Sequence, residues 1–294
     1  MLNPLIEWQK LYDEGVALYK QGRYGPGVVV AKKALEFAEQ TFGPDHPAVA
    51  DSLSNLGELY CNQGRYAQSE PLHNRSLAIR EKALPPNYPD VADCLNNLGA
   101  LYYAQGRYTQ AESFYKRALV MQVKTLGPDH PAVADCLDQL TELYHTQKQY
   151  TQTEPLCNRA LAIHENTFGP DHPAVANSLN NLATLYRAQG QYAQAESLRM
   201  RALAIWEKTR GPDHPTIALG LNNLAVLYKD QKKYAQAEPI YKRALAILEN
   251  AVGPDHPNAA SILENTATLY RKMDREKEAE SLEQRAAAIR AIKR

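Results

Sequence analysis

The sequence predicts an all-α, right-handed solenoid of seven 42-residue helix–turn–helix units, and three observations carry that prediction. The pentapeptide GPDHP begins at residues 43, 127, 169, 211 and 253, so its gaps are 42 or twice 42. The copy due at 85 reads PPNYP, which keeps the second and last prolines. Between these markers apolar residues recur at i, i+3, i+4 and i+7, the period of a half-buried helix rather than of a strand. A fixed period of roughly 20–50 residues marks supersecondary units that bury their apolar faces only by stacking on their neighbours. One array over residues 1–294 follows, with units 1–42, 43–84, 85–126, 127–168, 169–210, 211–252 and 253–294.

Each unit opens with a first helix. In the third unit its buried stripe is Leu95, Leu98, Gly99 and Tyr102; in the fifth it is Leu179, Leu182, Ala183 and Tyr186. QGRY or QGQY follows, where Gly64, Gly106 or Gly190 can take the left-handed conformation that ends a helix. The second helix carries small residues seven apart on one face (Ala111 with Ala118, Ala195 with Ala202, Ala237 with Ala244), which lets two helices approach closely. Prolines 71, 155 and 239 are expected near its first turn, where a missing N–H costs least. At about 1.5 Å per residue, helices of roughly 16 residues run about 24 Å.

The pentapeptide then reads as a junction. Gly43 and its equivalents end the second helix, Pro44 forbids its continuation, Asp45 or His46 caps the next helix, and Pro47 takes its first position. The competing reading is a set of Asp–His metal or acid–base sites. A metal needs several ligands converging at about 2.0–2.2 Å, whereas copies one repeat apart are separated by about a helix packing distance, roughly 10 Å. The end units depart from the pattern. The first has GPGVVV (25–30), and the last replaces Gly-x-Tyr by Asp274, Arg275 and Glu276 before a charged final helix suited to an end cap.

The run Leu95, Leu98, Gly99, Tyr102, Ala111, Tyr115, Ala118 resembles the tetratricopeptide (TPR) signature at its proper spacings. The lengthened unit, as in LNNLATLYRAQGQYAQAESLRMRALAIWEKTRGPDHP (179–215), is similar to the TPR domain of kinesin light chains and their prokaryotic relatives. The likeness is close over units two to six and looser in the first and last. It implies a peptide-binding groove lined by asparagines. A heptad segment before the repeats, through which kinesin light chains join their motor, is absent from this sequence, so the expectation is a stand-alone array.

Charge and motifs narrow the function. Lys plus Arg equal Asp plus Glu at 33 each, which gives no chain-wide footprint for nucleic acid or acidic membrane surfaces. Cys61, Cys94, Cys136 and Cys157 form no CxxC pair, and MLNPLIEWQK is no signal peptide, so reduced thiols in the cytoplasm are expected. No apolar run reaches the roughly 18–20 residues of a membrane span. The phosphate-loop, dinucleotide, nucleophile-elbow and HExxH motifs are all missing, so the expectation is no enzyme, no cofactor and no metal.

Function is then sought on the first helices, which in such stacks line the concave surface. One column reads Asn55, Asn97, Gln139, Asn181, Asn223, Asn265. Asparagine is a mediocre helix former, so amides in register need a reason. Two stay open: bonding the backbone of an extended peptide, or bonding between repeats to fix their stacking. A second column runs Tyr19, Cys61, Tyr103, His145, Arg187, Lys229, Arg271; with Asp51, Asp93, Asp135, Glu58 and Glu142, it predicts an acidic N-terminal and a basic C-terminal half. An acidic segment is expected against Arg187, Lys229 and Arg271, with Tyr103 giving an apolar or stacking contact. Arg75, Arg117, Arg159, Arg201, Arg243 and Arg285, alongside Glu70, Glu112, Glu154, Glu196, Glu238 and Glu280, read as structural ion pairs or a solvated face. The leading expectation is a monomeric, non-catalytic scaffold that binds a protein or peptide segment. The alternative is a self-assembling array that meets its copies through Trp8, Val28, Val29 and Val30.

Overall fold

A computed structural model of the chain describes residues 3–83 and 89–291. Except for Pro89, the PPNYP segment lies outside them, and so does its reading as a degenerate junction. The described residues form fourteen helices and divide into two compact units, Met1–Lys148 and Gln149–Arg294. The first unit holds α1 (Pro4–Lys20), α2 (Tyr24–Phe42), α3 (Pro47–Asn62), α4 (Tyr66–Ala83), α5 (Pro89–Ala104), α6 (Tyr108–Leu126) and α7 (Pro131–Thr146). The second holds α8 (Tyr150–Phe168), α9 (Pro173–Ala188), α10 (Tyr192–Arg210), α11 (Pro215–Asp230), α12 (Tyr234–Val252), α13 (Pro257–Lys272) and α14 (Glu276–Ala291). Within each unit every helix packs on the next. The first helices of successive repeats also touch, α1 with α3, α3 with α5 and α5 with α7 in one unit, α11 with α13 in the other.

The junctions work as helix punctuation. His46, His130, His172, His214 and His256 are the N-caps of α3, α7, α9, α11 and α13, each Nδ1 accepting from the N–H two residues on at 3.1–3.2 Å. The following proline is the first helical residue in each case. Of the two candidate caps the imidazole takes the role, and the aspartate turns outward: Asp45 pairs with Lys82, and Asp171 with Lys208 at 2.5 Å. Gly43, Gly127, Gly169, Gly211 and Gly253 hold φ between +84° and +93°, which side chains rarely adopt.

The turn inside each repeat needs a left-handed residue too. Gly22, Gly64, Gly106 and Gly190 supply it; Lys148, Lys232 and Asp274 adopt it at φ +58°, +60° and +57° without being glycine. Prolines 71, 155 and 239 lie deeper than the sequence suggested, each the sixth residue of α4, α8 or α12. The carbonyls they leave without a helical donor belong to Ala67, Thr151 and Ala235, all exposed residues, where solvent can take the place of the lost bond.

The small-residue stripes are buried: Ala111, Ala118, Ala195, Ala202, Ala237 and Ala244 are at most 1% exposed. Gly99 lies so close to α6 that a Cβ there would stand 2.5 Å from the Tyr115 ring. Two ladders tie successive repeats together. Tyr102, Tyr144, Tyr186, Tyr228 and Tyr270 each donate a hydroxyl bond to a glutamate of the preceding second helix (Glu70, Glu112, Glu154, Glu196, Glu238) at 2.7–3.2 Å. The arginine column makes ion pairs, but its partners are Glu39, Glu81, Glu165, Glu207 and Glu249, at the far end of the preceding second helix, for Arg75, Arg117, Arg201, Arg243 and Arg285. The glutamates beside the arginines in sequence serve the tyrosines instead.

The expected self-association patch is broken up, because two of its four residues are buried. Trp8 is buried, its indole N–H donating to Ser52 Oγ at 2.9 Å, and Val28 is buried on Leu56 and Leu59. Val30 is half-covered, and only Val29 stands out. The helix over GPGVVV turns Val28 inward and leaves Val29 outside, a split that periodicity within so short a run does not reveal.

Candidate functional site

The first-helix face of the Met1–Lys148 unit is built from α3, α5 and α7. Asn55 is buried, its Oδ1 seated where α1 passes as Gly15; a Cβ at Gly15 would come within 2.9 Å of it. Asn97 Nδ2 donates to Glu58 Oε1 at 3.1 Å, one repeat back. Burial pushes the Glu58 carboxyl up, and this bond offsets part of the rise. Tyr103 Oη lies 2.7 Å from Thr146 Oγ1 while its ring leans on Tyr108, and His145 is half-buried in the last turn of α7. The acids are engaged as well. Asp51 pairs with Arg80, which also reaches Ser54, Ser76 and the Cys94 sulfur. Burial first, then Asp90 nearby, raises the Asp93 carboxyl.

In the Gln149–Arg294 unit the face is built from α9, α11 and α13. Asn181 is half-buried. Asn223 Nδ2 donates to Asn180 Oδ1 at 3.2 Å and Asn265 Nδ2 to Asn222 Oδ1 at 3.0 Å, both across one repeat. The amides therefore bond between repeats, using a neighbouring column (Asn180, Asn222) that the single-column reading passed over. The tandem Asn-Asn at 180–181 and 222–223 was its visible signal. Arg187 pairs with Asp230 at 2.7 Å, and Arg271 binds Glu283 at 2.9 and 2.8 Å and also Glu276. Lys229 is half-buried, and its ammonium is pulled below the usual range by burial. The column is basic, yet the charge of its last member is already balanced.

A buried side chain at this face that the sequence reading passed over is Arg199 in α10. It is 3% exposed, and its guanidinium reaches between the helices to Asn180 Oδ1 (3.0 Å) and Thr184 Oγ1 (3.2 Å). Burial pushes it down to about 10.

The four cysteines are free thiols, three of them buried. Among the described residues no group of three or more His, Cys, Asp or Glu side chains could hold a metal ion, and no helix is long and apolar enough to cross a membrane.

The paired helices, the 42-residue register and the inter-repeat ladders define a repeat solenoid whose first helices present polar side chains. The tetratricopeptide repeat family matches residues 9–82, 49–122, 90–152, 142–208, 180–250 and 216–291, and the chain belongs to that family. Among solved structures it is similar to BtubC (BKLC) from P. vanneervenii, with 24% identity, 76% of this chain and 90% of that one covered, and a TM-score of 0.64. A kinesin light chain of Podospora anserina with nearly identical TPR-like repeats shares 26% identity over 70% of this chain and 97% of its own, with a TM-score of 0.58. The Rap conjugation gene regulator of plasmid pLS20, solved with the Phr* peptide, shares 16% identity over 99% of this chain and 75% of its own, at a TM-score of 0.69. No curated protein matches the chain significantly.

Proposed function

We propose that the chain is a non-catalytic binding module that captures a peptide segment of a partner protein along its first-helix faces. The observation that carries the reading is the register of polar side chains on α9, α11 and α13: Asn181, Arg187, Asn223, Lys229 and Asn265 recur at repeat spacing and are each only partly buried. Core packing does not require amides and cations there. Two first-helix faces with such columns, one per compact unit, supply donors and acceptors for the backbone of an extended chain. The pLS20 Rap regulator, which holds a peptide on the same kind of fold, supports this by likeness. In this reading the Met1–Lys148 face offers Asn97, Tyr103 and His145, and the Gln149–Arg294 face prefers acidic segments through Arg187 and Lys229. Arg271 would have to exchange Glu283 or Glu276 to take part.

The test is a pull-down from lysate with the wild-type chain and with Asn181→Ala/Asn223→Ala, both checked for helicity. Proteins retained by the first and lost from the second are the expected result. Identical captured sets on two folded baits would sink the reading.

A further inference from the structure

The tyrosine–glutamate ladder has a third member that only some repeats supply. Arg107 stacks its guanidinium on the Tyr102 ring, 4.4 Å from the centroid, and donates to Glu70 at 3.4 Å and to Gln105 Oε1 at 2.9 Å. Arg275 repeats this on Tyr270 at 4.0 Å, with a 2.9 Å bond to Glu238. In both sets the tyrosine hydroxyl donates to one oxygen of the carboxylate and the arginine to the other. Ring face and carboxylate thus form a socket for a planar cation with several donors.

Glu154 departs from this pattern. A glutamate of this column can find a cation 37 residues on, at the arginine position, or four residues on along its own helix. At one or both positions stand Arg107 for Glu70, Lys116 for Glu112, Lys233 for Glu196, and Arg275 with Lys242 for Glu238. For Glu154 they are Gln191 and Asn158. Among the described residues Glu154 makes no ion pair and accepts from the Tyr186 hydroxyl at 3.2 Å. Gln191 Nε2 turns to Gln189 Oε1 at 3.0 Å, reproducing only the contact that Arg107 makes with Gln105. The rings show the difference. Tyr60, Tyr102 and Tyr270, each under an arginine, are 4–6% exposed, whereas Tyr186 is half-buried.

Glu154 opens into a notch of about 600 Å³ between the start of α8 and the end of α9, lined also by Tyr150, Thr151, Pro155, Asn158 and Gln189. The equivalent notch beside Glu70, which Arg107 reaches, measures about 470 Å³. Among the described residues lining the larger one there is a single carboxylate and no lysine or arginine. Pro155 adds an acceptor, because it leaves the Thr151 carbonyl without its helical donor.

We propose that this notch receives an arginine side chain from a partner protein, completing on Glu154 and Tyr186 the set that Arg107 and Arg275 complete internally. The incoming guanidinium donates to Glu154 and to Gln189, displacing Gln191, and lies against the Tyr186 ring. A lysine ammonium supplies the charge but neither the flat face nor the paired donors, so the notch prefers arginine. These residues are separate from the amide and cation columns of the first-helix face, and the proposal does not depend on peptide capture there.

Saturation-transfer NMR on the full chain tests this with acetyl-arginine amide, acetyl-lysine amide and the uncharged isostere acetyl-citrulline amide. Wild type should bind the arginine compound at least about fivefold more tightly than either of the others. Glu154→Gln removes the carboxylate and should weaken the arginine compound at least about fivefold. Gln191→Arg installs the residue of the equivalent positions, competes from within and should cause a loss of similar size. A thermal midpoint no lower than that of wild type shows this variant to be folded. Citrulline or lysine compounds bound as tightly as the arginine one, or arginine binding that either folded variant leaves unchanged, overturns the site. Light scattering identifies the source: an oligomer of the wild-type chain that Gln191→Arg dissolves puts an arginine of a second copy in the notch and overturns a foreign partner.

Discussion

His73 shows how much one side chain in the second-helix core position can control. It is 2% exposed, packed against Gly57, with Nδ1 unpartnered, and burial pushes its imidazole down to about 4 from the ordinary 6.5. Between those values the unfolded chain takes up a proton that the folded one refuses. The stability held by the neutral ring is therefore present above about 6.5 and lost as pH falls through the window towards 4, by up to about 3 kcal/mol. His73→Phe keeps a ring and removes the titration. It should hold wild-type stability near pH 7 and lessen the acid loss, as read by denaturant melts at both ends of the window. An unchanged pH dependence refutes this. The same position holds Cys157 and Arg199 elsewhere, and that variability hid it from the sequence. Columns of like residues are conspicuous, whereas here the information is the one residue unlike the others.

At the scale of the element, the turn between the helices of a repeat fixes a left-handed residue whatever the side chain. A non-glycine residue there costs about 1–2 kcal/mol, from which glycine's greater entropy in the unfolded chain must be subtracted. Lys232→Gly should stabilise by about 0.5–1 kcal/mol in chemical denaturation, with Lys148→Gly close behind; loss of stability in both would show the turn is not strained. Helix starts were legible because histidine and proline mark them in register, and the turn was legible in QGRY and QGQY. Prolines 71, 155 and 239 were misplaced by about one turn. A residue pattern marks a helix's start only within a few positions, and the solvated carbonyls that tolerate those prolines are a three-dimensional fact.

For the whole molecule the repeat makes stability a sum of local interfaces. Gly99→Ala drives a methyl to 2.5 Å from the Tyr115 ring, whereas Gly220→Ala meets the tip of Leu203 at 2.7 Å, which can swing aside, and the Trp206 ring only at 3.0 Å. The first should cost about 1–3 kcal/mol and the second less. As the residues they touch differ and belong to different compact units, the double variant should equal their sum within about 0.5 kcal/mol. A larger coupling in denaturant melts would refute the additive picture. The number and length of the repeats were legible from five copies of one pentapeptide, and both helices of each from the apolar period between the copies. The division at Lys148 and Gln149 was not, because the 42-residue period runs through it unbroken.

Each of the five described GPDHP junctions is chemically self-sufficient. Gly43 N–H bonds Glu39 O, Ala48 N–H bonds its own histidine cap and Val49 N–H bonds His46 O, and the GPDHP junctions at 127, 169, 211 and 253 repeat the scheme. A gene segment excised or duplicated from one such glycine to the next would leave no orphaned amide at the splice. Array length in a chain of this kind is thereby open to change by recombination, one 42-residue step at a time, with each added step lengthening the first-helix face by another pair of columns.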